Sequence, residues 1–218
     1  MDIKVFIQAR MSSDRYSGKV LAPLNGVPLI KRVIDRVTGV ISRKNIVVLT
    51  GKSDADDPLV SYMDLYEEIA CFRCYGIEDN DVFGRFYKAL EMCPCDWIIR
   101  VCGDSPLIDP RLIERTIYLI NAYPQLDVFT NVFPFRTFPK GQSVEAVKVA
   151  TFRRMARFVQ SDEEREHVMP VFYHHPEKVA IWPWTNNGNW GIPDVDMAVD
   201  TVEDLHRIEK LMEEGVLR

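Results

Sequence analysis

Long hydrophobic runs are missing from this sequence, and so are the residue patterns of several common classes of protein. Its apolar stretches are short and strand-like, far below the roughly 20 residues that span a bilayer, so we expect no membrane partner. The net charge of −5 argues against a general nucleic-acid-binding surface. No order of Ser, His and Asp, or of Cys and His, suggests a covalent nucleophile.

The N-terminus also lacks the pattern of a secretory signal peptide, since it runs directly into a β-branched segment. We therefore expect a cytoplasmic protein. Cys71 and Cys74 are followed, after eighteen residues, by Cys93 and Cys95, which comes near the spacing of a four-cysteine zinc site. A predicted helix between the two pairs and the C-x-C form of the second pair favour packed, free thiols over zinc.

Strand and helix patterns alternate through the first 130 residues. Apolar, β-branched segments predict strands at 3–7, 45–50, 71–75, 97–101 and 127–130. Helical spacing predicts helices at 28–37, 59–69, 82–91 and 110–122, with Asp81 or Asn80 capping the third. Such alternation indicates βαβ units, so we expect an α/β fold with a doubly wound, mainly parallel sheet.

The pattern changes after residue 130. Residues 132–140 contain two prolines and three phenylalanines, which predicts a loop or lid over the site. Further on we expect strands at 144–149 and 178–184, a strand ending at 197–199, and helices at 151–159, 163–169 and 202–212. Pro170 should stop the second of these helices, and Thr201 with Asp204 should cap the third. His174 and His175 are read as loop residues, and Trp182, Trp184 and Trp190 as core or dimer packing.

The stretch from residue 7 to residue 19 carries the clearest chemistry. It offers three cations and three hydroxyl donors: Arg10, Arg15, Lys19, Ser12, Ser13 and Ser17. With a strand before it and a helix expected after it, its backbone N–H groups favour anions. The spacing matches neither G-x-x-x-x-G-K-[ST] nor G-x-G-x-x-G. We favour a phosphate-binding loop; the alternative is an ordinary charged turn.

Charge distribution supports a small polyanion as ligand. Residues 1–45 hold nine Lys/Arg against three Asp, a local balance of +6, so the remainder of the chain carries −11. A basic segment in an acidic protein suits a compact anion better than a nucleic-acid duplex, which requires a broad basic face.

Two aspartates follow predicted strands and precede helices. Asp104 comes after the strand at 97–101, and Asp200 after the one at 197–199. Ligands of open α/β sheets bind beyond the carboxyl ends of strands, and two carboxylates with phosphate oxygens and water are a usual Mg²⁺ site. The alternative is that each Asp only caps its helix. Asp194-Val195-Asp196 is a second candidate metal motif, or a polar turn.

One further cluster has polar side chains that suit a substrate. Arg165, Glu166 and His167 fall on a predicted helix. Arg165 or His167 could contact a substrate, and a solvated helix face is the alternative.

Several blocks of the chain resemble the spore-coat-polysaccharide type of cytidylyltransferase, a relative of the CMP-sialic acid and CMP-KDO synthetases. The resemblance covers nearly the whole chain, in the blocks IQARMSSDRYSGKVL (7–21), EDNDVFGR (78–85), RVCGDSPLIDP (100–110), FPKG (138–141), VE (144–145), EREHV (164–168) and VDTVEDL (199–205). It implies a GT-A-like, Rossmann-like nucleotide-diphospho-sugar transferase fold. It also implies one nucleotidyltransferase domain over 1–218: a nucleotide-binding part (1–130), an acceptor-side lid or dimerisation insertion (131–195), and a closing strand and helix (196–218).

By this resemblance the reaction is Mg²⁺-dependent transfer of CMP from CTP to an acidic sugar or phosphorylated acceptor, with release of pyrophosphate, for surface glycan synthesis. A homodimer is also implied. The residues implied to bind CTP are Gln8, Ala9, Arg10, Ser12, Ser13, Arg15, Lys19, Glu78, Asp79, Arg100 and Gly103. The resemblance implies that Arg10, Lys19 and Asp104 take part in catalysis and that Asp104 and Asp200 bind the metal. The residues implied to bind the acceptor are Arg136, Glu145, Arg165, Glu166 and His167.

Two departures from the family pattern are visible. Asp14 places a carboxylate within the phosphate loop, and Gln142-Ser143 stands where the family has leucine and aspartate. These departures keep two other hypotheses open. One is a different nucleotidyl- or glycosyltransferase of the same fold, and the other a nucleotide-binding scaffold without turnover.

Overall fold

Continuous runs of apolar residues form the centre of the sheet. The computed structural model describes residues 1–217. Strand β4 (Ile46–Thr50) is buried along its whole length, and β1 (Ile3–Gln8) and β6 (Trp97–Cys102) are buried at most positions. Burial on both faces is the environment of central parallel strands, which explains why these segments do not alternate between apolar and polar residues.

Within residues 1–217, seven strands make one sheet and two short strands make a hairpin. The hairpin consists of β2 (Pro23–Leu24) and β3 (Val27–Pro28). The other strands of the main sheet are β5 (Ala70–Arg73), β7 (Val128–Thr130), β8 (Glu145–Lys148) and β9 (Ile181–Pro183). The strand order is β5-β4-β1-β6-β8-β7-β9.

The first four strands in this order run parallel to one another. Strand β8 is antiparallel to both β6 and β7, and β9 runs parallel to β7. The register pairs Gln8 with Cys102, so β1 and β6 end side by side at one edge. The predicted mainly parallel α/β sheet is confirmed.

Helices cover both faces of the sheet, as a doubly wound fold requires. They are α1 (Leu29–Thr38), α2 (Asp57–Met63), α3 (Val82–Met92), α4 (Pro110–Ala122), α5 (Val149–Met155), α6 (Asp162–His167), α7 (Pro170–His174) and α8 (Val202–Glu213). Helices α1, α2 and α4 pack into one core, and α3, α5 and α7 into the other. Helix α8 closes a third, smaller cluster with the hairpin side.

Predicted helix caps are confirmed at two places. Asp81 accepts a hydrogen bond from the N–H of Gly84 at the start of α3. Thr201 and Asp204 form a reciprocal capping box at the start of α8. Each cap satisfies backbone N–H groups that have no partner within the helix.

Several predicted boundaries were wrong. Helix α2 ends at Met63 rather than at 69. Beyond Met63 the backbone forms turns instead: the Tyr66 N–H bonds the Met63 carbonyl, three residues back rather than the four of an α-helix. Pro170 does not simply end a helix: it begins α7, where a missing N–H has no consequence. His174 therefore lies in a helix rather than in a loop. The segment predicted as a helix at 151–159 is α5 followed by a 3-10 turn, Ala156–Phe158.

The strand predicted at 197–199 does not form. Met197 N–H bonds the carbonyl of Lys140, and Val199 N–H bonds the carbonyl of Asp104. The segment is extended, but its hydrogen bonds go to two different loops, so no ladder with one neighbouring strand forms.

Residues 131–144 form a loop. None of the helices in residues 1–217 has the length and apolar character needed to cross a bilayer.

Candidate active site

A cavity of about 450 Å³ opens at the edge where β1 and β6 end. Its walls come from residues 8–20, the start of α3, the end of β6, residues 136–143, α6 and residues 198–200. Thirteen of the residues predicted from the sequence line it: Gln8, Ala9, Arg10, Ser12, Ser13, Arg15, Lys19, Arg100, Asp104, Arg136, Glu166, His167 and Asp200. Residues far apart in the chain thus meet at one edge of the sheet, where open α/β folds bind ligands.

The loop after β1 is closed by its own backbone. Gly18 N–H bonds the Met11 carbonyl at 2.7 Å, and Gly18 has a φ of +75°, which suits glycine. Met11 N–H bonds Asp56 Oδ1 at 2.6 Å, and Asp56 is buried. The loop is therefore held from both ends, with its cations turned toward the cavity.

The helix predicted at 28–37 forms as α1, but its N-terminus does not reach this loop. A 3-10 turn, Lys19–Leu21, and the β2–β3 hairpin lie between the loop and Leu29, where α1 begins. No residue of α1 lines the cavity. An anion here would be bound by side chains and loop N–H groups, without the N-terminus of α1.

Lys19 joins the two predicted metal ligands. Its Nζ lies 2.9 Å from Asp104 Oδ2 and 3.0 Å from Asp200 Oδ1. Arg15 adds an ion pair to the other oxygen of Asp200 at 3.2 Å. Burial opposes the charge of Lys19, but attraction to Asp104 and then Asp200 outweighs it, so the pKa of Lys19 is raised. Arg15 pairs with Asp200, and the carboxylate of Asp14 only lines the cavity.

Backbone contacts bring the two aspartates together. Gly103 N–H bonds the Gln8 carbonyl at 2.9 Å. A Cβ at Gly103 would stand 3.0 Å from Ala9 Cβ and from the Gln8 carbonyl oxygen, so a larger residue would push β6 away from β1. Val199 N–H bonds the Asp104 carbonyl at 2.9 Å, which sets Asp200 opposite Asp104.

A divalent cation fits these two carboxylates. Both reach one cationic nitrogen within hydrogen-bond distance, and their side chains are 28% and 33% exposed toward the cavity. Hard carboxylate oxygens suit Mg²⁺. No group of three or more His, Cys, Asp or Glu placed to hold a metal occurs in residues 1–217. A metal here would therefore take its other ligands from substrate oxygens and water.

The residues predicted near the nucleoside lie at the edge of the cavity. Arg10 Nη1 donates to the Asp79 carbonyl at 2.9 Å, and Arg85 Nη2 donates to the same oxygen at 2.7 Å. Arg85 is 2% exposed, and burial followed by repulsion from Arg10 lowers its pKa. Glu78 points outward and pairs with Lys52 at 2.9 Å. Neither Glu78 nor Asp79 lines the cavity.

Loop 131–144 forms the opposite wall and is fastened by Gln142. The Gln142 side chain, 1% exposed, accepts from Asp109 N–H at 2.8 Å and donates to the Leu107 carbonyl at 2.8 Å. Arg136 Nη1 donates to Ser143 Oγ at 2.7 Å. The residue pair that departs from the family pattern thus has two functions: Gln142 fastens the loop, and Ser143 orients Arg136.

The predicted substrate residue Glu145 lies behind the wall rather than on it. It is 4% exposed, and its Oε2 accepts from Arg100 Nη1 at 2.6 Å. Arg100 Nε in turn donates to Gln8 Oε1 at 2.8 Å. Burial opposes the charge of Arg100, but Cys102 and Glu145 outweigh it and raise the pKa of Arg100.

The cluster on α6 divides between the cavity and its surroundings. Glu166 and His167 line the cavity, and Glu166 lies 3.9 Å from Arg10. Arg165 points toward α3, where its Nη1 lies 3.3 Å from Asp81 Oδ2.

A capping box at Ser161 and Glu164 begins α6. The pKa of Glu164 is about 2, because hydrogen bonds from Gln160, His174 and Ser161 outweigh the effect of its burial.

The alternative metal motif lies elsewhere. Neither Asp194 nor Asp196 lines the cavity, and Asp196 lies 3.9 Å from Lys140.

All five cysteines are free thiols. Burial raises the pKa of the Cys71 and Cys95 thiols to about 12, as expected for thiols that pack rather than react.

Several residues at or behind the cavity were given no role from the sequence: Arg85, Cys102, Ser105, Lys140 and Tyr173. Arg85, Cys102, Ser105 and Lys140 lie inside the blocks that carry the family resemblance, so the signal that could have found them was already in those blocks. Tyr173 lies outside those blocks, and no spacing in the sequence distinguishes it from a packing residue.

Comparison with known proteins agrees with this geometry. Residues 4–213 match the model of the cytidylyltransferase family. The spore coat polysaccharide biosynthesis protein SpsF of Bacillus subtilis is 28% identical over 98% of this chain and 88% of its own length. The 3-deoxy-manno-octulosonate cytidylyltransferase of Desulfosudis oleivorans is 30% identical over 61% of this chain, and the match spans about half (52%) of that enzyme.

Solved structures give the same fold. A cytidylyltransferase from Leptospira borgpetersenii has a TM-score of 0.87 at 26% identity, covering 98% of this chain and 87% of that chain. A CMP:2-keto-3-deoxy-manno-octonic acid synthetase complexed with CTP has a TM-score of 0.71 at 18% identity, covering 99% of this chain and 100% of that chain; at this identity the likeness shows the fold alone. Since the family match extends over nearly all of the sequence that builds the cavity, the chain belongs to the cytidylyltransferase family and is a nucleotidyltransferase.

Proposed function

We propose that this enzyme transfers CMP from CTP to an acidic sugar or a phosphorylated acceptor, with Mg²⁺ and with release of pyrophosphate, in the synthesis of a surface glycan. The observation that carries the proposal is the contact of one ammonium, on Lys19, with both Asp104 and Asp200 at the end of a cation-rich loop. Phosphoryl transfer depends on positioning and on charge neutralisation more than on covalent help from the protein.

In this reaction either a phosphate oxygen of the acceptor or a sugar hydroxyl, whose proton passes to water, attacks the α-phosphorus of CTP. The bond between that phosphorus and the bridging oxygen breaks, and pyrophosphate leaves with the bonding electrons. Arg10, Arg15 and Lys19 line the same wall and would neutralise the charge that develops on the leaving group. Ser12 and Ser13 would donate to its oxygens. Mg²⁺ held by Asp104 and Asp200 would supply further charge neutralisation at the phosphates.

Two relatives support the metal and the type of acceptor. The enzyme from Desulfosudis oleivorans is named for 3-deoxy-manno-octulosonate, an acidic sugar. A structural neighbour from Mycobacterium tuberculosis, with a TM-score of 0.65 at 15% identity, was solved in complex with manganese. We propose the corresponding acceptor class and a divalent metal for this chain.

The cavity wall opposite the two aspartates favours an anionic acceptor. Arg136 is exposed and is oriented by the neutral hydroxyl of Ser143. Lys140 is 66% exposed on the same loop, and His167 lies on α6. We propose that these side chains bind the acceptor together with Glu166. Residues 1–130 would then bind the nucleotide, residues 131–195 the acceptor, and residues 196–218 would close the single domain.

The alternative hypotheses have less support. A glycosyltransferase that used Asp194 and Asp196 for its metal would need them in the cavity, and neither lines it. A scaffold without turnover would not need the contact between Lys19 and two cavity carboxylates, because nucleotide binding can be served by the cations alone.

A homodimer and a cytoplasmic location stay predictions. The aromatic side chains of Trp182, 41% exposed, and Tyr118, 59% exposed, offer a surface that a second copy could cover. Light scattering coupled to size-exclusion chromatography would measure the mass in solution.

The test is release of pyrophosphate from CTP. The purified protein is given CTP with Mg²⁺ or with EDTA, and one acceptor at a time from a panel of sugar acids, sugar phosphates and neutral sugars. We expect release that requires both Mg²⁺ and an anionic acceptor. Release that persists in EDTA would contradict the metal, and release with neutral sugars alone would contradict the acceptor class.

A further inference from the structure

A hydrogen-bonded series of buried and half-buried polar side chains lies behind the cavity wall, with Tyr173 of α7 at its centre. The Tyr173 hydroxyl donates to Glu145 Oε1 at 2.5 Å. The other carboxylate oxygen of Glu145 accepts from Arg100 Nη1 at 2.6 Å. Glu145 is 4% exposed, so each of its oxygens depends on one of these two partners.

Arg100 connects this hydrogen-bonded series to the cavity. Its Nε donates to Gln8 Oε1 at 2.8 Å, and both Arg100 and Gln8 line the cavity. Two of the three guanidinium nitrogens are therefore held by the protein. The third, Nη2, donates to no residue in 1–217, which leaves it for a bound ligand. A planar guanidinium anchored in this way offers a fixed donor to an oxyanion.

The other end of the series reaches loop 131–144. Thr130 Oγ1 lies 2.9 Å from the Tyr173 hydroxyl and accepts the N–H groups of Val132 and Phe133. The rings of Tyr173 and Phe133 stack with centroids 4.6 Å apart and 8° between their planes. Because the Tyr173 proton goes to Glu145, the Thr130 hydroxyl donates to Tyr173.

Burial makes this arrangement sensitive to the loss of one hydroxyl. A buried carboxylate that loses a donor must find another partner, turn, or take up a proton. Each of these outcomes changes its bond to Arg100. Burial and then Glu145 raise the pKa of Tyr173 well above its ordinary value, so the hydroxyl stays protonated and keeps its role as donor.

We propose that Tyr173 is a positioning residue: it acts through Glu145 to hold Arg100 so that Arg100 Nη2 meets an oxyanion of the acceptor. The family resemblance implies CTP binding for Arg100, which also lies within residues 1–130. Its partners Glu145 and Tyr173, however, belong to β8 and α7, whose contacts lead to loop 131–144. We therefore assign Arg100 Nη2 to the acceptor, as an exception to that division of the chain. The triphosphate has its own cations on loop 10–19. The inference rests on the proposed function for the identity of the ligand, but not for the coupling of Tyr173 to Arg100.

The coupling is tested without any substrate by the Nε–Hε NMR signal of Arg100. This signal is assigned by its loss in Arg100→Lys. Tyr173→Phe removes the hydroxyl and keeps the ring that stacks on Phe133. We expect the Arg100 signal to shift or broaden in Tyr173→Phe and in Glu145→Gln, while the signal of the buried Arg85 stays in place. An Arg100 signal that is unchanged in Tyr173→Phe would overturn the proposal, whatever Glu145→Gln shows.

Kinetics tests the consequence, with the acceptor that gives the fastest pyrophosphate release in the panel. We expect Tyr173→Phe to raise KM for the acceptor about tenfold, the effect of one hydrogen bond to a charged group, and to leave KM for CTP almost unchanged. Tyr62→Phe is the matched control, since its hydroxyl hydrogen-bonds Tyr66 and Tyr62 does not line the cavity. An equal rise in both KM values would overturn the assignment to the acceptor.

A double variant separates positioning from general destabilisation. If Tyr173 acts through Glu145, Tyr173→Phe should add nothing to the KM defect of Glu145→Gln. Additive defects would show that Tyr173 acts by another route, against the proposal. If the enzyme releases no pyrophosphate with any acceptor, the proposed function fails, and the NMR result still decides whether Tyr173 positions Arg100.

Discussion

Lys19 Nζ lies 2.9 Å from Asp104 Oδ2, although 85 positions separate the two residues in the sequence. Lys19 is 11% exposed, so its charge needs the carboxylate, and the carboxylate faces the cavity. This pair, with Asp200 as its third member, joins the phosphate loop to the carboxyl end of β6.

Removing either carboxylate should abolish most activity without unfolding the protein. Asp104→Asn and Asp200→Asn keep the side-chain volume but remove the charge that Mg²⁺ requires. We expect pyrophosphate release to fall by at least about 10²-fold, while the protein stays folded because Lys19 keeps the other aspartate as a partner. Asp35→Asn, on the exposed face of α1, is the control. Turnover above a tenth of the wild-type rate in both variants would argue against a metal at this site.

Lys19 should act as a substitute for part of the metal's charge. In Lys19→Met the two aspartates lose their shared cation and repel each other. Mg²⁺ should therefore stabilise this variant more than the wild type, by about 1–2 kcal/mol at saturating concentration, a rise of about 2–4 °C in the thermal midpoint per kcal/mol. Differential scanning fluorimetry with and without Mg²⁺ measures the rise. Lys31→Met serves as control, and an equal response in Lys19→Met and wild type would contradict the account.

Glu164 should make stability depend on pH below its ordinary pKa. Its folded pKa of about 2 lies below the value for an unfolded glutamate, so its contribution is complete above about pH 4.5 and is lost as the pH falls toward 2. Glu164→Gln should reduce the free energy of unfolding by up to about 3 kcal/mol at pH 6. The difference from wild type should shrink by pH 3. Urea unfolding at several pH values measures it.

The exposed neighbour Glu163 provides the comparison for this prediction. Glu163→Gln should change the free energy of unfolding little, because its side chain is exposed. A Glu164→Gln deficit that stayed constant over this range would show that the carboxylate's charge is not the source of its contribution.

Gln142 should be a structural residue of the acceptor wall. Gln142→Leu keeps the volume but leaves the Asp109 N–H and the Leu107 carbonyl without their partners. We expect a loss of about 2–3 kcal/mol in the free energy of unfolding, measured by urea denaturation. Gln125→Leu, at an exposed position, should change it little. An effect no larger than that of the control would mean that water replaces the side chain.

Much of the fold follows from local signals in the sequence. The runs in β1, β4 and β6 are apolar enough to require burial on both faces, and Asp81 and Thr201 show where helices begin. The segment at 197–199 has the same apolar character, yet its partners are the carbonyls of Lys140 and Asp104. Whether an extended segment pairs with one neighbouring strand or hydrogen-bonds to two separate loops depends on tertiary contacts. The spacing of apolar residues in the sequence does not encode those contacts.

The candidate site divides in the same way. Arg10 and Asp104 follow directly from position, because they stand just beyond the ends of β1 and β6. Lys19 follows from the cation-rich loop after β1, and Asp200 lies where the predicted strand would have placed it. Glu145 could be named from its motif, but its burial could not, since that depends on Arg100 and on Tyr173 from α7. Helix α7, which carries Tyr173, was not predicted, because a proline such as Pro170 can end one helix or begin another. Only the packing of α7 shows which applies.

The most direct test of the account is pyrophosphate release with each of the four nucleoside triphosphates in turn. Mg²⁺ and the acceptor panel are present throughout, and Asp104→Asn is assayed in parallel. We expect release with CTP only, and we expect Asp104→Asn to lose it. Release with a different nucleotide, or undiminished release from CTP in Asp104→Asn, would contradict it.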